Sequence, residues 1–110
     1  WPACLPESIA IGASMPSKAV AVYTNYDAKL IDFFALGTTI TYGPGNVKAP
    51  VAGTSASIQA AAATWLAISS AKPGLTYSQM YDLISRTSTS ISNSKIKGGK
   101  LINLQGALNG

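Results

Sequence analysis

From Ala49 to Ala71 the sequence carries no charged side chain, and the step Ala52-Gly53-Thr54-Ser55-Ala56-Ser57 leads into its alanine-rich part, 58–67. A stretch of that length must be buried on most sides or lie in a membrane. Gly53, Thr54, Ser55, Ser57, Gln59, Thr64, Ser69 and Ser70 interrupt it with small or polar groups, which favours the buried helix of a globular protein and sets membrane partners aside. The spacing predicts a helix over 54–70, packed through Trp65, Leu66 and Ile68 and stopped by Lys72-Pro73-Gly74.

Gly53 lets the chain turn sharply into that helix, and Ser55 then falls in its first turn. There the positive end of the helix dipole and the unclaimed backbone N–H groups favour negative charge. Such a place suits a serine nucleophile, because charge developing on an attacked carbonyl meets donors already in position. The competing reading is an N-cap at Thr54 or Ser55, worth about 0.5–2 kcal/mol.

Elsewhere the pattern alternates short apolar runs with turn residues. Strands are predicted at 8–13, with Ile9 to Ile11 at its centre, at Val20 to Val22, at Leu30 to Phe33 and at 37–42, with loops at 43–46 and 88–93. Thr76 and Gln79 form a capping box for a second helix reaching Ser85, whose Tyr77, Met80, Tyr81 and Ile84 make a core stripe. Gly98-Gly99 is a turn, followed by a short strand and a terminal helical turn within 101–108.

Several of these segments carry a resemblance. Gly53-Thr54-Ser55 before a small-residue helix looks like the nucleophile segment of the subtilisin-like serine proteases. Pro2-Ala3-Cys4-Leu5-Pro6 with Ile9-Ala10-Ile11-Gly12-Ala13 resembles that family's proline-alanine and I-A-V-G-A strand. Tyr23-Thr24-Asn25-Tyr26 and Phe34-Ala35-Leu36-Gly37 are similar to its F-S-N-Y-G and A-P-G segments. Gly98-Gly99-Lys100-Leu101-Ile102-Asn103-Leu104 with Ala107-Leu108 is similar to its closing G-x-G-x-I-N-x-x-x-A-L. The order is the family's throughout.

The resemblance implies an α/β subtilisin-like three-layer fold with a mostly parallel sheet, of which residues 1–110 form the C-terminal portion. It implies a serine endopeptidase that works through an acyl-enzyme on Ser55, with substrate contacts at Trp1, Pro2, Gly53 and Thr54. Departures fall at Ala56, Ser57, Ile58 and Gln59, where the family has a bulky residue, alanine, a small residue and proline, and at Ala63, Leu36 and Asp27. Serine needs a base, usually histidine held by a carboxylate. The chain has no histidine. The resemblance therefore places the aspartate, histidine and oxyanion asparagine on an N-terminal segment or chain that partners this one, with a peptide or protein as substrate.

The alternatives are a non-catalytic pseudoenzyme or binding module that keeps the fold, a Ser-Lys dyad using Lys48 or Lys100, and the sedolisin-like peptidases, which share Gly-Thr-Ser but not the closing Leu101-Ile102-Asn103 segment. No cofactor and no structural metal are expected, beyond a weak calcium site near Asp32 that the resemblance allows; a surface or hydrogen-bonded aspartate is the preferred reading there.

Eight basic against four acidic side chains give a net charge of +4, but the lysines are scattered without interleaved aromatics, so a nucleic-acid footprint is not expected. Cys4 is the sole cysteine, read as a small buried hydrophobe or as one half of a bridge to another segment. Only 11% of residues are charged, a balance that suits a secreted protein whose signal lies outside this sequence.

Overall fold

The computed structural model describes residues 4–24 and 30–110. Trp1, Pro2, Asn25, Tyr26 and Asp27 lie outside the described residues.

A four-stranded sheet runs in the order β1-β2-β6-β5, from β1 (Ile11–Ser14), β2 (Phe33–Leu36), β6 (Gly99–Leu101) and β5 (Thr89–Ile91). β1 and β2 are parallel with Ile11 opposite Phe33, β2 and β6 are parallel through Phe34 and Leu101, and β5 returns antiparallel to β6. The architecture is thus α/β with a mostly parallel sheet, as the sequence leads one to expect. A separate antiparallel hairpin, β3 (Thr38–Tyr42) and β4 (Lys48–Ala52), leaves the end of β2 and delivers the chain to α1 (Thr54–Ala71).

Two apolar clusters flank the sheet. On one face Phe33 packs with Ile68 of α1, with Met80, Leu83 and Ile84 of α2 (Tyr77–Thr87), and with Ala107 of α3 (Leu104–Asn109). On the other, Phe34, Ile91 and Leu101 close over Val20 and Ile96, which come from loops. Each large side chain fully withdrawn from water in this way stabilises by about 1.5–3 kcal/mol.

The helices follow their local signals. α2 starts with the expected capping box: the Gln79 amide donates to the Thr76 hydroxyl at 3.2 Å and the Thr76 amide to Gln79 Oε1 at 2.9 Å. α1 ends where Lys72 donates to the Ile68 carbonyl at 2.8 Å, just ahead of Pro73. Its burial is one-sided, however. Ser57, Ala61 and Ile68 face the core, while Leu66 is 68% exposed.

Four strand expectations are corrected. β1 starts at Ile11, so Ile9 and Ala10 precede it. Val20 to Val22 is no strand: Val20 makes one bridge to Ser14, the chain turns with the Thr24 amide on the Ala21 carbonyl, and Val22 stands in solvent. Leu30 to Phe33 shifts to Phe33–Leu36, because the Asp32 backbone and carboxylate both hook onto Ala10 and fix the register there. The polar stretch 88–93 contains β5, which buries Ile91 and pairs with β6. Cys4 is an exposed free thiol, which removes its reading as a buried hydrophobe.

Candidate active-site serine at the start of helix α1

The hairpin determines how the chain enters α1. Thr38 lies opposite Ala52 at its root, and one step further the Gly53 amide donates to the Gly37 carbonyl at 2.9 Å. Gly53 sits at φ 139° and ψ 167°, a conformation open only to glycine. That residue is the N-cap of α1, and among the described residues no side chain caps the helix. Neither Thr54 nor Ser55 is therefore the cap that their hydroxyls suggested.

The first intrahelical bonds run from the Ala56 and Ser57 amides, at 3.1 and 3.4 Å, to the Gly53 carbonyl. The Thr54 and Ser55 amides come before that ladder begins, where a helix has no acceptor of its own to offer. Ser55 is exposed and Thr54 half-buried, so an exposed hydroxyl stands beside donors at the positive end of an 18-residue helix. Gly53, Thr54 and Ser55 follow one another through the turn into α1. Trp1 and Pro2, read as the pocket wall, lie outside the described residues.

Beneath the turn the packing is tight. A Cβ on Gly37 would stand 2.5 Å from the Tyr23 hydroxyl and 2.8 Å from Ala13 Cβ, so only glycine fits. Ser57 is fully buried against the same glycine, and among the described residues its hydroxyl has no hydrogen-bond partner. Sequence reading passed over Tyr23, Gly37 and Ser57 as site elements. The F-A-L-G segment was the one signal that pointed to Gly37.

Neither lysine weighed as a base approaches the serine. Lys48 starts β4, about 13 Å of extended strand before Ala52, and its ammonium lies 5.9 Å from the Tyr42 ring centre. Lys100 donates to the Ser85 hydroxyl at 2.6 Å. Among the clefts of the described residues, one of about 430 Å³ along Thr38 to Ile40 and Pro50 to Ala52 ends three residues before Ser55, and two others are formed elsewhere. One, of about 270 Å³, is polar and touches Asp32, Tyr81, Lys97 and Lys100. Another, of about 200 Å³, is apolar and runs between Ile9, Ile11, Ile58 and Trp65.

Asp32 is hydrogen-bonded on both oxygens, by the Ala10 amide at 2.8 Å and the Tyr81 hydroxyl at 2.6 Å. Burial, then the bond and charge of Asp32, push the Tyr81 phenol up to about 12. Among the described residues no three or more His, Cys, Asp or Glu side chains gather as a metal site, and no helix is long and apolar enough to cross a membrane.

No sequence-family model and no characterised protein sequence match the chain. Solved structures do. The A-subunit of the AB5 toxin from E. coli superposes with a TM-score of 0.82 at 17% identity, over 99% of this chain and 42% of that one. A cold adapted subtilisin-like serine proteinase superposes with a TM-score of 0.80 at 21% identity, over 91% of this chain and 37% of that one. This chain spans about two fifths of the length of either, and at these identities what it shares with the subtilisin-like proteinase is its α/β fold.

Proposed function

We propose that the chain is the nucleophile-bearing C-terminal portion of a subtilisin-like serine endopeptidase, with Ser55 as the nucleophile. One observation carries this: an exposed serine two residues past a glycine-only turn, beside backbone amides that α1 leaves unclaimed. In this reading a histidine on the partner segment takes the Ser55 proton as Oγ attacks the scissile carbonyl. The oxyanion is met by the Ser55 amide and the end of the helix dipole, the amine leaves with the proton, and water then frees the acyl group. Gly53 and Thr54 line the approach of the peptide, with Trp1 and Pro2 as the wall of its pocket. No cofactor enters the reaction.

The partner reading has physical support of its own. The chain exposes 6912 Å² of surface, whereas a folded monomer of 11.3 kDa is expected to expose about 5,700 Å². The excess, about 1,200 Å², exceeds one partner's side of a standard protein interface, about 800 Å². A missing half would also have ground to cover. β1 ends the sheet, the apolar groove beside Ile9 and Ile11 is open, and Ile58 and Leu66 stand out from the uncharged helix. A further strand and its covering helix would fill these. The low charge content favours an extracytoplasmic protein, which fractionation of the source cells checks.

A serine-directed phosphonate tests the assignment. The assembled protein is expected to take the label on Ser55, while the 110-residue chain alone, lacking a base, takes none. Ser55→Ala is expected to lower peptide hydrolysis by several orders of magnitude and Thr54→Ala far less. Equal loss in both variants, or label on another residue, leaves the binding-module reading in its place.

A further inference from the structure

Three groups meet at Gly37, the residue that joins β2 to β3. Its amide donates to the Ser14 carbonyl of β1 at 2.9 Å, while its carbonyl accepts both the Gly53 amide and the Tyr23 hydroxyl, each at 2.9 Å. Gly37 is buried, and the space where its side chain would stand is taken by the Tyr23 oxygen, with Ser57 Oγ 3.2 Å from the same point. A carbonyl oxygen has two lone pairs, and here both are used. One holds the turn that leads to Ser55. The other is held by a tyrosine from a different part of the chain.

We infer that Tyr23 is a positioning residue for Ser55, acting through the Gly37 carbonyl; this rests on the reading of Ser55 as a nucleophile. The Gly53 conformation needs outside restraint, since a glycine has more alternatives to fall into than any other residue. Its only fixed point at the amide is the Gly37 carbonyl, and the direction of that carbonyl is set by Ser14 behind it and Tyr23 beside it. Remove the phenol oxygen and the Gly37 peptide can tilt, carrying Gly53 with it. Ser55 and its amide then move relative to whatever base and carbonyl they face, and misplacements near 1 Å cost on the order of 100-fold in rate. Tyr23 touches no substrate in this scheme. It holds the seat.

The test compares wild type with Tyr23→Phe and with 4-aminophenylalanine at position 23, which restores a donor on the ring. Amide hydrogen exchange is read at Gly53 and, as reference, at Phe33 and Leu83. Phosphonylation of Ser55 in the assembled protein is resolved into the affinity for the reagent and the maximal rate of labelling. The expected result is that Tyr23→Phe speeds exchange at Gly53 by more than tenfold with the reference amides unchanged, lowers the maximal labelling rate about tenfold, leaves reagent affinity as it was, and is reversed by 4-aminophenylalanine. Unchanged exchange at Gly53, or exchange that rises equally at all three amides, overturns the inference, as does a loss seen only in reagent affinity. If wild-type Ser55 takes no label, the peptidase reading falls, and the exchange at Gly53 still decides whether Tyr23 holds the turn.

Discussion

Ser57 has a hydroxyl that is completely buried and has no hydrogen-bond partner among the described residues, two residues beyond the proposed nucleophile. A buried oxygen that gave up water without gaining a partner costs about 1 kcal/mol or more. Ser57→Ala removes that cost and adds helix propensity, so it is expected to stabilise by about 1 kcal/mol, a rise of roughly 4 °C in the unfolding midpoint measured by tryptophan fluorescence. A fall would mean that Ser57 has a partner when the protein is assembled. Ser55→Ala, at an exposed site that caps nothing, is expected to change stability by less than about 0.5 kcal/mol in the same measurement. The sharp entry into α1 ahead of Ser55 was legible from Gly53 alone, whereas the isolation of Ser57 was not, because it depends on where Gly37 and Tyr23 come to rest.

Inside the apolar seam between helix α2 and the sheet the Tyr81 hydroxyl donates to Asp32, just ahead of β2, with the Tyr81 and Phe33 rings 4.9 Å apart. Folding favours the protonated phenol, since its pKa rises from 10.0 to about 12. The contribution is therefore whole below pH 10 and is lost as pH climbs from 10 towards 12. Tyr81→Phe is expected to cost about 1.5 kcal/mol at neutral pH, the usual value of a hydrogen bond to a charged group, and to flatten the decline above pH 10 in a series of urea titrations. The two long helices could be read from the sequence because their ends are local: Gly53 and Pro73 bound one, Thr76 and Gln79 open the other. The strands that escaped reading are those whose reason lies elsewhere in the chain. β5 is mostly hydroxyl residues and becomes a strand by lying against Gly99–Leu101, and β4 contains Pro50, which is tolerated because β4 pairs on one side only.

The molecule as a whole has one well-covered side of its sheet and one open end. Its Cα radius of gyration is 14.1 Å, against about 13 Å for a compact domain of this length. With the groove at Ile9 and Ile11 and the outer face of α1 uncovered, the purified 110-residue chain is expected to be marginally stable and to bind an apolar dye while folded. A sharp, cooperative transition at ordinary temperatures without dye binding would count against an open end.

The hairpin β3–β4 stands out from this body with Ile40, Tyr42 and Val47 in solvent, and it is pinned at its root by the pair Gly37 and Gly53. Mechanically it is a long arm on a short axle. Five strand residues reach about 17 Å from the pin, while Ser55 sits about 3 Å along the helix axis beyond it. A swing at the tip thus reaches the serine reduced about sixfold, so the seat of Ser55 is geared down against the motions of the most exposed part of the chain.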